Sequence, residues 1–515
     1  MRGHPPGFRA RRATWLVLAG LLAGRTTAAV EVTGRLGHWS VGGYAEGYAV
    51  VPVNPDSQRQ LPEGILDLRV TGDLHPKARL YLETRAIAGG PVEHADGPGF
   101  VNLSDTFQNI SPELEIPEGY VDLFLPSLDV RIGKQKFAWG RLDTYQPTDV
   151  LNPRRFTDPF ITEEQDAKIG VPALRASYYL PELGSRLPTD TSFTLVWVPV
   201  PVPVRFPEPG ERWFPPAVNT LRVIDVRASL LRPGLPDFRV DTHLRAKNVR
   251  PPQQLDEGAV AFRLAGLYQG VDWALYYYDG PETRPAFALD ASVSHLGPCS
   301  PPVAGTACVR GDTTLRPVFG RIRLVGGDAA YELHGITARV EAAYGTDRLL
   351  PRRARDLTSL ENLGERLPPQ LDRILGRLGM GKRAGVNLGP LFVPRDTVEW
   401  GAGVDYRWHG WMPLLQVNQT LILDNAGPTL LINDVDSRLF FVVRKSFLAD
   451  RLATEAGVVQ ELERGYTLGI SRFTYAITDS WRVRVGYLLL AGTDRSLVGQ
   501  FHDNDEAFFQ VRYSY

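Results

Sequence analysis

Guanidinium groups are the chemistry that this sequence offers in quantity. Of its 515 residues 57 are basic, 50 of them Arg and 7 Lys, against 58 acids and 9 His. Arg69, Arg79, Arg85, Arg131, Arg239, Arg245, Arg321, Arg323, Arg482 and Arg484 fall on the polar faces of alternating runs, together with Asp67, Glu83, Asp122, Asp241 and Glu341. A planar guanidinium takes a carboxylate or phosphate through two parallel hydrogen bonds, so these faces could steer anions. They could equally pair among themselves as wall residues. A second concentration of polar side chains lies on a proline-punctuated stretch. Trp139-Gly140-Arg141-Leu142-Asp143 leads to Pro147-Thr148-Asp149-Val150-Leu151-Asn152-Pro153-Arg154-Arg155, and Asp158 follows. Proline cannot donate to a strand ladder, so Asp149, Asn152, Arg154, Arg155 and Asp158 do not sit on a central strand. Two arrangements stay open: a loop folded into an interior that it narrows, with Arg154 and Arg155 facing a pore, or an outward surface loop.

Enzyme signatures are absent. There is no Gly-x-Ser-x-Gly elbow, no phosphate-binding Gly-Lys-Ser/Thr loop and no paired-His metal motif. The expectation is a protein that is not an enzyme and uses no metal or cofactor. A hydrolase assembled in space from scattered His and carboxylates is the remaining enzymatic alternative. Two cysteines, Cys299 and Cys308, are too few for a thiolate cluster. They enclose a turn-rich tip and are expected to form one disulfide bracing an external loop in an oxidising compartment.

The elements that must position these residues start with an export signal. Arg2, Arg9, Arg11 and Arg12 precede an apolar run at 13–23, and Arg25-Thr26-Thr27-Ala28-Ala29 supplies the small residues of a cut after Ala29. The apolar run is about half of the roughly 20 residues that a spanning helix needs. Residues 1–29 are therefore read as a signal peptide, and the mature chain carries 52 basic against 58 acidic residues. That balance argues against nucleic acid as a partner.

The mature chain has a period of two. Leu66-Asp67-Leu68-Arg69-Val70-Thr71 alternates apolar and polar, and so do 77–85, 120–125, 129–137, 220–231, 320–325, 400–408, 439–447 and 481–489. In 238–247, Val240, Thr242 and Leu244 oppose Arg239, Asp241, His243 and Arg245. Soluble sheets alternate too. Run lengths of about 9 to 12, however, suit tilted membrane strands better than the average soluble strand of about 5 to 6. Aromatics near run ends (Trp197, Trp273, Tyr276, Tyr277, Tyr278, Trp400, Trp408, Trp411, Trp481) suit interfacial girdles. Phe509, Val511, Tyr513 and Tyr515 share one face of a closing strand. Such an ending resembles the terminal signal by which barrel-assembly machinery receives its clients, with Tyr515 in place of the usual Phe. Short turns alternate with long stretches at 88–117, 138–171, 199–217, 295–316 and 345–395. Within the last, the leucines of 358–378 recur at three-to-four spacing behind a Thr358/Glu361 capping box, giving a short helical loop insertion.

One resemblance comes from motifs. A strand ending Gly133-Lys134-Gln135, then Trp139-Gly140, then Pro147-Thr148-Asp149-Val150-Leu151-Asn152-Pro153, resembles a poorly characterised family of proteobacterial outer-membrane proteins, distantly similar to alginate-export porins. The stretch Gly499-Gln500-Phe501-His502-Asp503-Asn504-Asp505 before the last strand is similar to that family's end. The resemblance implies a barrel over nearly the whole mature chain and names no cargo.

The fold expected is all-β: a transmembrane antiparallel β-barrel of about 18 strands (16–20) over residues 30–515. Segment 138–171 is its candidate constriction and 345–395 its helical insertion. The function expected is a porin-like channel in the outer membrane of a Gram-negative bacterium, surrounded by lipid and passing small polar or anionic solutes. The alternative is a closed barrel serving adhesion, surface-polymer attachment or assembly. The candidate pore-lining residues are Asp149, Asn152, Arg154, Arg155, Asp158, Arg239, Asp241, Arg245, Arg482 and Arg484.

Overall fold

The computed structural model describes residues 30–515 apart from 91–112, 182–187, 217–222, 227–236, 247–256, 299–305, 352–383, 425–433 and a few shorter positions. The strands of the first half are β1 (Val30–Gly34), β2 (Gly37–Pro52), β3 (Glu63–His75), β4 (Ala78–Gly89), β5 (Glu113–Glu115), β6 (Gly119–Leu125), β7 (Leu128–Gln135), β8 (Val171–Tyr179), β9 (Thr189–Val198), β10 (Val223–Val226) and β11 (Asp237–Ala246). Next come β12 (Ala259–Tyr268), β13 (Val271–Pro281), β14 (Ala286–Pro298), β15 (Thr306–Val318), β16 (Arg321–Leu333), β17 (Ile336–Pro351) and β18 (Ala384–Pro390). The last are β19 (Phe392–Tyr406), β20 (Trp411–Ile422), β21 (Val435–Phe447), β22 (Leu452–Glu461), β23 (Thr467–Ala476), β24 (Trp481–Ala491) and β25 (Glu506–Ser514). One short helix, α1 (Glu164–Ala167), lies between β7 and β8.

The large sheet closes on itself. β25 pairs back on β2 from Tyr44↔Ser514 to Pro52↔Glu506, and every pairing around the ring is antiparallel. β1 folds back on β2 alone, while β5 and β6 both pair with β4 as one interrupted wall strand. The result is a closed barrel of eighteen strands. Closure leaves no open sheet edge, which is what a β structure in lipid requires.

Alternation turns the wall inside out relative to a soluble protein. On β3, Leu66 is 40% exposed while Asp67 beside it is 0% exposed. Val340, Val404, Leu415, Phe441, Val485 and Phe509 are likewise exposed, whereas Glu83, Asp122, Glu341, Glu399 and Gln416 are buried. Successive strand residues point to opposite faces, so on these strands the apolar set covers the outside and the polar set lines the inside. β16 has the opposite phase at its start, with Ile322 and Leu324 buried and Arg321 and Arg323 exposed, so those two arginines do not line the interior. Tight turns join one end. His334-Gly335 between β16 and β17 has φ of 51° and 79°, the two positive values of a type I′ hairpin. The C-terminal Tyr515 lies at this end, its hydroxyl donating to the Asp67 carbonyl at 2.8 Å. That bond gives the tyrosine a use that phenylalanine would not have.

Several expectations are corrected. β10, β11, β14, β15 and β18 form a second sheet outside the ring, in the order β10-β11-β15-β14-β18, with β11 parallel to β15. The runs 220–231 and 238–247 are therefore not wall strands, and Arg239, Asp241 and Arg245 lie on β11 in this second sheet. Stretch 295–316 is partly strand, through β14 and β15, and both ends of 345–395 are strand, through β17, β18 and β19. Tyr276 and Tyr278 are buried inside the wall, so of the three consecutive tyrosines they do not belong to an outer girdle. The helical insertion at 358–378, the signal peptide and Cys299 fall outside the described residues; Cys308 lies on β15. Among the described residues no helix is long and apolar enough to cross a membrane.

Candidate functional site: a segment tethered across the lumen

Residues 136–170, which connect β7 to β8, are held at their base by one side chain. Asn152 accepts from the Phe137 N–H at 2.6 Å and donates to the Ile169 carbonyl at 2.8 Å and the Gln135 carbonyl at 3.3 Å. Both amide hydrogens and the amide oxygen are thus used to staple the start of the segment to its end. Asp149 pairs with Lys168 at 2.7 Å, both buried, and with Arg154 at 3.2 Å. Arg155 pairs with Glu115, which also takes Arg205 at 2.6 Å.

From this base the segment reaches strands on several arcs of the ring. Glu341 of β17 accepts from Arg141 N at 3.0 Å, Leu142 N at 3.4 Å, and both Thr148 N and Oγ1 at 2.8 Å. Arg141 Nε meets Asp328 of β16 at 2.7 Å. Gln416 of β20 accepts from Asp143 N at 3.1 Å, and Tyr145 donates to Glu399 of β19. The far part of the segment is held from the other side. Arg472 of β23 donates to the Ile161 carbonyl at 3.0 Å, Arg484 of β24 pairs with Glu163 at 2.7 Å, and Arg85 of β4 pairs with Asp166 at 2.7 Å. A segment bonded to inward-facing residues of β16, β17, β19 and β20 and of β23, β24 and β4 lies within the closed ring.

Local sequence makes this path possible. Gly140 has φ of 87°, and a Cβ there would lie 2.7 Å from both Glu341 carboxylate oxygens. Gly401 clears room for Leu142, since its Cβ would come within 2.6 Å of that side chain. Trp139 packs on Tyr276 with ring centroids 5.2 Å apart, inside an apolar cluster that includes Leu151, Val196, Ala261 and Leu324. A second connection also enters. Arg212, between β9 and β12, pairs with Glu506 of β25 at 2.8 Å, and Trp213 packs against Phe160 and Phe501. Much of the interior is thus filled.

Besides a void of about 20 Å³ beside Leu151 and Tyr278, two larger spaces are lined by described residues. The larger, about 1050 Å³, lies between the segment and the inward faces of β20–β24, and reaches the turn at 407–410. Its lining holds Arg407, Arg444, Lys445, Arg472 and Arg484 against Asp143, Glu163 and Glu455. The smaller, about 120 Å³, lies against β2–β4 and β25. Of the residues singled out from sequence, Arg484 touches both spaces, and Arg85, Arg155 and Asp158 touch the smaller. Arg482 is exposed near the short-turn end. Glu341, Gln416, Glu399 and Arg472 were not singled out as site residues. Their inward parity was the available signal, but not the partners far away in sequence. One carboxylate grouping, Asp436, Glu461 and Glu463, has metal-ligand spacing. Arg438 engages Asp436, and the Glu463 and Arg464 N–H groups engage Glu461, so it reads as internal pairing.

Asp158 accepts from the Tyr48 hydroxyl at 3.0 Å, and burial pushes its carboxyl up from 3.8 to about 6. A raised acid favours the folded state while protonated. That contribution is full below about pH 3.8 and is lost as pH rises through about 6. Asp158→Asn, which keeps the acceptor and cannot ionise, is expected to match the parent protein in acid and to exceed its unfolding temperature above pH 6. Heat-dependent gel shifts across that range check this, and a gap independent of pH would contradict it.

No protein-family model matches the sequence, and no curated protein matches it. The family resemblance to alginate-export porins therefore has no match behind it. Solved structures do align over most of the chain. Salmonella typhi OmpF in complex with daunomycin aligns with a TM-score of 0.40 and 10% identity, covering 94% of this chain and 100% of that one. Acinetobacter baumannii OccAB4 gives 0.45 and 8%, covering 93% and 97%. Pseudomonas aeruginosa OccK2 (OpdF) in complex with glucuronate gives 0.43 and 8%, covering 93% and 97%. At such identities and scores neither the ligands nor the activities of those proteins pass to this chain.

Proposed function

We propose that the mature chain, cut after Ala29, sits in the outer membrane of a Gram-negative bacterium as a narrowed, porin-like channel for small polar or anionic solutes. The observation that carries this reading is the tethered segment 136–170 beside a charged cavity of about 1050 Å³ inside an eighteen-strand barrel. An apolar outer face suits lipid, and a water-accessible lining in which Arg407, Arg444, Arg472 and Arg484 stand against Asp143, Glu163 and Glu455 favours anions, Lys445 being turned onto the outer Trp411 and Phe447 rings. The short-turn end would face the periplasm and the second sheet the outside.

Liposome swelling with neutral, cationic and anionic solutes of graded size tests the reading. Small neutral and anionic solutes are expected to enter faster than cations of equal size, and planar bilayers should show stable open steps. A protein that inserts as a heat-modifiable barrel yet gives neither swelling nor steps would be a closed barrel, with adhesion, surface-polymer attachment or assembly left as its role.

A further inference from the structure

We propose that the larger internal space binds an amphipathic organic anion, with its carboxylate at Arg444 and a compact hydrocarbon body against Val442 and Ile470. The inference deepens the channel reading above by naming its solute class, and rests on that reading for the solute's access.

The strand registers set the inward side chains of β21, β22 and β23 in rows. Arg444, Glu455 and Arg472 stand abreast in a row toward the short turns. Two residues further along each strand come Val442, Gly457 and Ile470, and two further again Phe440, Val459 and Leu468. All of these residues line the space. The wall thus passes from charged to wholly apolar over about 7 Å, the rise of two strand residues.

The middle row is the one left for a guest. Val459 and Leu468 also pack with Phe160, Trp213 and Phe501, which hold the crossing segment, but Val442 and Ile470 are not part of that cluster. Between them Gly457 recesses the wall: a Cβ there would lie 3.3 Å from a Val442 methyl and 3.7 Å from an Ile470 methyl. The glycine leaves a trough flanked by two branched side chains.

The charged row can still take a carboxylate. Glu455 bridges it, accepting from Arg444 Nε at 2.7 Å and from Arg472 Nη1 at 2.9 Å. Arg472 donates its other terminal nitrogen to the Ile161 carbonyl at 3.0 Å. The two terminal nitrogens of Arg444, by contrast, have no hydrogen-bond partner among the described residues. One carboxylate between two guanidinium groups leaves the row positive, and Asp143 across the space is already paired with Arg339 at 3.0 Å. Arg444 therefore offers an incoming carboxylate the charge-assisted donors that such a group takes best. A ring one methylene from its carboxylate bridges the two rows. Its hydrocarbon gains affinity with the apolar area that it removes from water, whereas a polyhydroxy acid gives up hydration at Val442 and Ile470 without partners in return. A volume of about 1050 Å³ and an apolar lining with a few fixed polar groups suit a small-molecule site.

The test is titration calorimetry of the mature full-length barrel in detergent, corrected with empty micelles, using cyclohexylacetate, cyclohexylacetamide and gluconate as probes. Cyclohexylacetate is expected to bind at least about tenfold more tightly than gluconate, which lacks the hydrocarbon, and than the amide, which lacks the charge. Arg444→Gln is expected to bring cyclohexylacetate down to the amide, and Ile470→Asn to weaken it about tenfold toward gluconate. The comparison of probes on the parent decides the question even if a variant fails to assemble. Equal affinity for cyclohexylacetate and gluconate, or a preference that survives either heat-modifiable variant, would overturn the site. A parent that conducts in planar bilayers without preferring cyclohexylacetate keeps the channel and loses the site. A parent that binds cyclohexylacetate as expected and does not conduct keeps the site, as that of a closed barrel, and loses the channel.

Discussion

Glu341→Ala is expected to release the crossing segment and to turn a narrow channel into a wide, noisy one while the barrel itself remains. The carboxylate is 2% exposed and accepts three N–H groups and one hydroxyl from Arg141, Leu142 and Thr148. Each buried donor left without a partner costs about 1–3 kcal/mol, so several at once outweigh what one apolar anchor such as Leu142 returns. The wall does not depend on this side chain, because the β17 ladder to β16 and β19 is made by backbone. Conductance is expected to rise severalfold with frequent flicker, and the segment should become open to protease, while heat modifiability persists. Glu341→Gln keeps one acceptor oxygen and should fall between the two. An alanine variant with parent-like conductance and an intact segment would show that the anchors at Gln416, Glu399 and Arg472 suffice alone.

Legibility followed parity. Where one face met the polar interior and the other the outside, as on β3 with Leu66, Asp67, Leu68 and Arg69, the period of two was plain and the side of each residue followed from it. Strands facing the apolar cluster lost that signature. Ala173 on β8 and Ala261 on β12 are buried inward while Leu275 on β13 is exposed outward, so these walls are apolar on both sides and read as buried strands. On β16 the alternation is plain but its phase is reversed, with Ile322 and Leu324 buried inward and Arg321, Arg323 and Val325 exposed. On a strand apolar on both sides the sequence does not tell an outer girdle from the inside, and Tyr276 and Tyr278 lie inside. Alternation also says only that two faces differ. Asp237–Ala246 alternates as well in the second sheet as it would in the wall, and nothing local distinguishes the two. The proline-rich segment was visible as irregular backbone, but its route was not, since Glu341 and Thr148 meet across 193 residues of chain.

Val340→Arg, one residue from Glu341 on the same strand, is expected to produce the opposite kind of damage. Val340 is 54% exposed on the outer face, opposite Ala329 of β16 and Ala402 of β19. It stands four residues beyond Ile336, where β17 leaves the turn. At about 3.3 Å per residue and a tilt near 40°, that is roughly 10 Å along the membrane normal, close to the middle of an apolar band about 25 Å tall. An arginine there meets lipid, at about 2–4 kcal/mol. Folding into vesicles during a urea titration should show a loss of that size for Val340→Arg and almost none for Val340→Leu. The few folded Val340→Arg channels should keep parent conductance, since the lumen is untouched. A Cys at 340 should also resist a membrane-impermeant thiol reagent. If Val340→Arg instead folds with parent stability and the Cys at 340 labels freely, the outer face of the barrel meets water, and the membrane reading falls with it.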